Sequence, residues 1–322
     1  MEKLSLTEEW DKVFKKSKNV SHKKITFHNR YGITLAADLY KPINAKGALP
    51  AVAVSGPFGA VKEQASGLYA QELAERGFLA IAFDPSYTGE SGGVPRYVAS
   101  LDINTEDFQA AVDFLSVQDD VDSERIGILG VCGWGGMALN TAALDTRIKA
   151  TVTSTMYDMS RVTREGYFGT EDTKEARYHK KQAMNAQRTV DYRNGTYQLV
   201  GGLPEEPFEG APQFVVDYIN YYKRQRGYHK RSLNSNGGFN VTSPLSLLST
   251  PLLQYSKEID SAVMMIHGEN AHSYYFSKDA FEQLTGDNKK FVSIPNANHT
   301  DLYDNKDIIP FDTIVEFLNE NL

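Results

Sequence analysis

The chain is short of cysteine, of net positive charge and of long apolar runs, and each shortage excludes something. Cys132 is the only cysteine among 322 residues. A single thiol closes no internal disulfide, so nothing calls for an oxidising compartment. The formal net charge is -7. General nucleic-acid binding needs a basic face, so no nucleic-acid partner is expected. No apolar run is long enough to span a bilayer. The opening MEKLSLTEEWDKVFKKSKNV is charged and has no apolar centre, unlike a secretory signal. No membrane partner is expected, and the chain reads as cytoplasmic. His, Cys and Asp do not cluster at ligand spacing, so no metal and no cofactor are expected. Internal repeats and low-complexity tracts are absent.

What is present is an alternation. The opening segment reads as a short amphipathic helix with Leu4, Trp10, Val13 and Phe14 on one side. KKITFHN and ITLAADLYKP read as two strands joined by a turn at Arg30-Tyr31-Gly32. AVAVSGPFG, FLAIAFDPS, RIGILGV and IKATVTSTM are continuous apolar runs, separated by the helical patterns VKEQASGLYAQELAERG, DINTEDFQAAVDFLSVQ (with a cap expected at Asn104 or Thr105) and MALNTAALD. SAVMMIHG and KKFVSIP resume the strands, with SKDAFEQL and IIPFDTIVEFLNENL as helices. Buried strands alternating with amphipathic helices predict an α/β fold, a mostly parallel sheet covered by helices on both faces.

The rhythm breaks for about a hundred residues. Residues 1–157 and 258–322 form the predicted α/β core, and 158–257 a helical insertion. A structureless loop of that length would count against the reading. The insertion holds half of the chain's 18 tyrosines. It is expected to cap a site at the strand ends, where open α/β sheets bind ligands. Its tyrosines and basic residues suggest a polar or anionic group on the ligand.

The stretch ILGVCGWGGMAL, residues 128–139, places Cys132 between a buried strand and a helix. That is the setting of a nucleophile elbow. The apex of such a turn is strained, so its neighbours are small, and Gly130 and Gly133 supply that. The apex side chain stands at a helix N-terminus, where unpaired N–H groups and the helix dipole favour an anion. This predicts a lowered thiol pKa. Trp134 falls where a small residue is expected and is predicted to lie beside the site as a substrate-binding residue. GESGG around Ser91 matches the same pattern literally, but it lies past Pro85 and no helix follows it directly. A Gly-rich loop accounts for it.

A thiol nucleophile needs a histidine within reach. His299, in the polar loop IPNANHTDLYD after the last strand, has the right setting. The acid is left open between Glu269, which follows SAVMMIHG, and Asp158, with a cysteine–histidine pair lacking an acid as the third option. The second oxyanion donor should follow AVAVSG. Pro57 has no N–H, so the Phe58 amide is expected to act beside that of Gly133. Glu63, near the same loop, either contacts the thiol or starts a helix, where carboxylates are favoured.

With SGPFGAVKEQ, AFDPSYTGESGG, EDFQAAVDFL, GVCGWGGMAL and NANHTDLYD in this order, the sequence resembles the α/β-hydrolase superfamily. It is most similar to bacterial dienelactone-hydrolase-like proteins, where the elbow residue is often cysteine. The resemblance implies an α/β-hydrolase fold, Cys132 as nucleophile, His299 as base, and Phe58 with Gly133 as oxyanion donors. It also implies a departure. Relatives commonly carry an aspartate after the seventh main strand, and this chain has His272 at or beside that position. The expected function is hydrolysis of a carboxylic ester or related acyl bond of a small-molecule acyl substrate. A non-catalytic small-molecule binder and a peptidase or thioesterase are the alternatives. A homo-oligomer is left open.

Overall fold

The computed structural model describes residues 2–322. Its centre is an eight-stranded sheet in the order β1-β2-β4-β3-β5-β6-β7-β8. The first two strands are β1 (Val20–His28) and β2 (Thr34–Pro42), an antiparallel hairpin. Next come β3 (Leu49–Ser55), α1 (Ala65–Glu75), β4 (Leu79–Phe83) and α2 (Leu101–Ser116). Then follow β5 (Val121–Val131), α3 (Gly133–Ala142) and β6 (Ile148–Ser154). β2 pairs antiparallel with β4, and every pairing from β4 through β8 is parallel. β4 and the C-terminal parts of β3 (51–55) and β5 (126–131) bury every residue. Helices on both faces leave no solvated side to such strands, which is why they read as unbroken apolar runs rather than alternations.

The segment between β6 and β7 is helical. It contains α4 (Met159–Glu165), α5 (Lys174–Asn194), α6 (Gln213–Tyr222), α7 (Leu233–Asn236) and α8 (Pro244–Ser249). Thr173 caps α5 by accepting from the Ala176 amide, and Gly195 ends it in the left-handed conformation. Of the 21 residues of α5, only Met184 and Asp191 are buried. The chain re-enters the sheet at β7 (Ala262–Gly268), then runs through α9 (Tyr274–Phe281), β8 (Lys289–Ile294), α10 (Asp301–Asp304) and α11 (Phe311–Asn321).

Two local expectations fail. Residues 2–19 form no helix. Asp11 and Lys12 are drawn instead into a buried ion network, and the Val13 amide donates to the Glu63 carbonyl at 3.0 Å. Those tertiary contacts outweigh a short segment's weak helical preference. α2 starts at Leu101, ahead of the expected caps; Asn104 reaches back and accepts from the Ser100 amide at 3.1 Å.

The ion network binds the N-terminal segment, the sheet and the β6–β7 segment together. Lys62 is fully buried, with Glu63, Asp84 and Glu90 carboxylate oxygens each 2.7 Å from its Nζ. Arg231 pairs with Asp11 and Glu63, both at 2.7 Å. These partners hold the Lys62 ammonium well above its ordinary pKa despite its burial, and keep Glu63 well below the usual carboxylate range. The three carboxylates have the spacing of a cation site, and the Lys62 ammonium already fills it. Glu63 therefore neither touches the thiol nor starts α1, which begins two residues later. Ser91 is structural too. Its hydroxyl donates to the Asp84 carbonyl at 2.7 Å and accepts from the Ala36 amide at 2.9 Å. No described helix is long and apolar enough to cross a membrane.

Candidate active site

Five chain reversals at the C-terminal ends of β3, β5, β6, β7 and β8 bring together Phe58, Cys132, Thr155, Ser273 and His299. Cys132 sits between β5 and α3 with φ 59° and ψ -129°, a region an L-residue occupies only when its surroundings enforce it. The enforcement is visible. Its amide donates to the Ser154 carbonyl at 2.9 Å, and its carbonyl accepts from Gly135 and Tyr157 at 2.8 and 3.0 Å. A Cβ on Gly130 would lie 2.0 Å from the Trp134 carbonyl oxygen, and one on Gly133 would lie 2.8 Å from the Phe58 Cβ. Both positions need glycine because backbone and side chain close in there, as the elbow reading requires.

Trp134, expected beside the ligand, points the other way. It is buried against Phe83 and Phe108 at ring separations of 5.6 and 5.3 Å, and it does not line the cavity at Cys132. A large residue is tolerated at that turn position because its side chain drops into the core between β4 and α2.

The thiol is mostly buried, and its polar neighbours are the Tyr303 hydroxyl and the amides of Phe58 and Gly133. Burial pushes the thiol pKa up, against the lowering influence of those three donors. The expectation of a lowered thiol pKa is thus reversed: desolvation of the thiolate outweighs the helix N-terminus. The two amides lie beside the thiol, at the mouth of the cavity that Cys132 and Phe58 line. The Phe58 loop is held from the β6–β7 segment. Asn234 Nδ2 donates to the Phe58 carbonyl at 2.8 Å, and Ser232 Oγ donates to that of Gly59 at 3.1 Å.

His299 is buried in the same group, but no hydrogen bond joins it to Cys132 among the described residues. Its Nε2 lies 3.0 Å from the Tyr303 hydroxyl. Its Nδ1 faces two hydroxyls, Ser273 Oγ at 2.6 Å and Thr155 Oγ1 at 2.8 Å. Behind them stands His267, whose Nε2 is 2.9 Å from Ser273 Oγ and whose Nδ1 is 2.6 Å from Ser277 Oγ. Burial first, then the nearby His272 and His267, hold His299 well below its ordinary pKa. Burial does the same to His267, to about 3, and to His272, to about 4. The resting pair is a neutral thiol and a neutral imidazole.

No carboxylate reaches His299. Glu269 is exposed and accepts from Ser293 Oγ at 2.9 Å; the chain turns it outward at the end of β7, so it is not the acid. Asp158 caps α4, accepting from the Arg161 amide and Ser160 hydroxyl. His272 stacks on Phe214 with 4.0 Å between rings and meets the Tyr157 hydroxyl. Ser273 and Thr155 hold the place of the acid. Sequence reasoning missed both, and also Tyr303 and Asn234. The departure after the seventh strand was the one available signal for Ser273. Tyr303 lies on α10, four residues beyond His299 in the turn that precedes this helix.

Cys132 opens onto a cavity of about 430 Å3. Phe58, Tyr157, Tyr167, Phe214, Tyr218 and Tyr303 are among its walls, and none of the described residues lining it carries a charge. The expected polar or anionic ligand group finds no cation here. None of the described basic residues of the β6–β7 segment lines the cavity, and several are engaged elsewhere: Arg226 on Asp304, Arg231 in the ion network, Lys223 on Glu205 and Arg161 on Glu165 and Asp279. A larger open groove of about 660 Å3 along α5 contains none of the residues around Cys132 and His299.

Comparison with known proteins fits this architecture. The chain is 55% identical over 324 aligned positions to the uncharacterized protein PA2218 of Pseudomonas aeruginosa, covering 99% of this chain and 86% of that one. The crystal structure of the same protein superposes with a TM-score of 0.97 at 54% identity, over 100% of both chains. The uncharacterized protein YcjY of Escherichia coli is 32% identical over 88% of this chain and 93% of its own length. The α/β-hydrolase GrgF from Penicillium shares the fold, with a TM-score of 0.76 at 18% identity over 94% of this chain and 99% of that one. The model of the X-Pro dipeptidyl-peptidase (S15) family matches residues 31–300. On that match, the chain is a hydrolase of the α/β-hydrolase superfamily and belongs to the X-Pro dipeptidyl-peptidase (S15) family.

Proposed function

We infer that the protein hydrolyses acyl bonds of small molecules, esters or thioesters, through Cys132, and that the acyl group it accepts is uncharged and apolar. Cys132 attacks the carbonyl and His299 is the ultimate base. The Phe58 and Gly133 amides hold the oxyanion, and water then cleaves the acyl-enzyme. The observation that carries this reading is the strained Cys132 apex, aimed between two amide donors and facing an aromatic cavity. The cysteine at the elbow is also the ground for a dienelactone-hydrolase-like reading of the active centre. Residues 158–257 act as the cap that shapes the cavity.

Peptidase activity of the kind the family is named for is the weaker reading. Release of an N-terminal dipeptide requires recognition of a free α-ammonium, which is costly to bury without an anionic partner. The cavity walls offer no carboxylate. A binding-only role is favoured by one observation, the absence of an acid behind His299.

The test is turnover of aryl esters and acyl thioesters with acetyl, butyryl and cinnamoyl groups, against an Ala-Pro anilide. Wild type, Cys132→Ala and His299→Ala are compared. Ester or thioester turnover that vanishes in Cys132→Ala supports the proposal. Turnover that persists in Cys132→Ala, or cleavage of the anilide alone, contradicts it.

A further inference from the structure

Sulfur and imidazole do not meet in this site; a tyrosine stands between them. Tyr303 is buried, its hydroxyl is 3.0 Å from His299 Nε2, and Tyr303 lines the same cavity as Cys132, with its hydroxyl beside the thiol. The geometry points to Tyr303 as a catalytic proton relay between Cys132 and His299, a role that rests on the thiol reading above.

The hydrogen-bond directions are self-consistent. With Nδ1 facing the Ser273 and Thr155 hydroxyls, the imidazole carries its proton there and donates to a hydroxyl oxygen. Nε2 then has its lone pair free and accepts the Tyr303 O–H. The tyrosine oxygen in turn accepts the thiol S–H. In acylation, the thiol proton passes to the tyrosine oxygen while the tyrosine proton passes to Nε2. A bond forms between Sγ and the carbonyl carbon. The carbonyl π pair moves to the oxygen, held by the Phe58 and Gly133 amides. Collapse of that intermediate breaks the bond to the leaving group. The leaving group takes a proton from Tyr303, which is refilled from Nε2. Tyrosine begins and ends neutral, so the relay never needs a buried phenolate. The hydroxyl pair behind His299 gives the imidazolium no counter-charge, so the charged state is short-lived and the transfers are concerted.

The alternative is that Tyr303 merely fills space and swings aside, letting His299 meet the thiol directly. The two differ in Tyr303→Phe, which keeps the ring. We would measure the pre-steady-state acylation burst with 4-nitrophenyl butyrate, and alkylation by iodoacetamide. The chains are wild type, Tyr303→Phe, His299→Ala and the double variant, with Cys132→Ala as the blank. The relay predicts a burst slowed about 100-fold or more in Tyr303→Phe with KM little changed. It also predicts a double variant no slower than His299→Ala, because both changes cut one path. A burst as fast as or faster than wild type in Tyr303→Phe overturns the relay, as does simple additivity.

If wild type shows no ester or thioester turnover at all, the hydrolase reading fails while the relay is still read from alkylation, where the same order of rates is required. Equal alkylation in all three variants and wild type overturns it. Should Tyr303→Phe fail to fold, a proton inventory on the wild-type alkylation decides. Two protons in flight give a bowed dependence on deuterium fraction, and a straight line contradicts the relay.

Discussion

Placing a carboxylate behind His299 tests the chemistry of the site through a single residue. Thr155 is the position. Its Oγ1 lies 2.8 Å from His299 Nδ1, it is fully buried, and its φ is 48°. A β-branched residue at positive φ is strained, whereas aspartate is several-fold better tolerated there. Thr155→Asp therefore suits the backbone and is close in volume. A carboxylate this near a histidine raises its pKa by about 1–3 units, or roughly 1.4–4 kcal/mol in favour of the imidazolium. Desolvation of the new carboxylate opposes part of this, and the Ser273 hydroxyl, which lies against the same Nδ1, is a ready donor to it.

The sign follows from the resting state. His299 in the wild type is held well below its ordinary pKa. The acid limb of acylation, where the base is lost to protonation, accordingly falls well below pH 6.5. In Thr155→Asp that limb moves up by about 1–3 units, and acylation above it is faster because the base is stronger. The assay is the pH dependence of kcat/KM for an aryl ester, with thermal denaturation as a folding control. A folded variant whose limb and rate both match wild type refutes the assignment of His299 as base.

The remaining predictions concern the frame around the site. Lys62→Met removes the cation that Glu63, Asp84 and Glu90 share at 2.7 Å; Glu63 keeps Lys24 and Arg231 and Glu90 keeps Lys24, but Asp84 is left without a cation, and a buried pair broken in this way costs about 3–5 kcal/mol, to be read as a lower urea midpoint. Gly130→Ala sets a Cβ 2.0 Å from the Trp134 carbonyl oxygen; at least about 1–3 kcal/mol of overpacking strain follows, and Cys132 alkylation should fall with it even below the melting transition. Stability should decline as pH falls from about 6.5 toward 4. In that window the unfolded chain protonates histidines that the folded chain keeps neutral: His267 and His272, held to about 3 and about 4, and His299 and His229, also lowered. Buried Asp107, raised to about 6, and Asp84, also raised, act in the opposite sense, because the folded chain keeps their protons. One to two protons net remain, about 1.4–3 kcal/mol per pH unit. A melting temperature flat or rising from pH 6.5 to 4.5 contradicts this balance.

The parallel sheet was legible because its strands are buried on both faces and read as apolar blocks between glycines and helical patterns. Cys132 was legible for the same reason, since strand, Gly, Cys, Gly and helix are contiguous in sequence. What stayed hidden is set by contacts distant in sequence. The segment at residues 2–19 has helical spacing, yet Asp11 is committed to Arg231 and Lys12 to Asp38. Trp134 lies two residues after the apex in sequence, but it packs on Phe83 and Phe108 in the core while Cys132 lines the cavity. The nearest carboxylate after β7, Glu269, faces solvent, while two hydroxyls that carry no charge signature occupy the acid's place. The cavity's lack of charge was equally invisible, because the basic residues of 158–257 are numerous and nothing in the sequence says that none of them lines it.

The most direct test of the central claim is intact-protein and peptide mass spectrometry of the chain quenched in acid during turnover of a cinnamoyl or butyryl thioester. The account predicts a mass increase equal to the acyl group, located on Cys132, that builds up in His299→Ala only slowly and is absent from Cys132→Ala. Acyl mass on a serine such as Ser91, or turnover without any covalent adduct in wild type and unimpaired in Cys132→Ala, would contradict it.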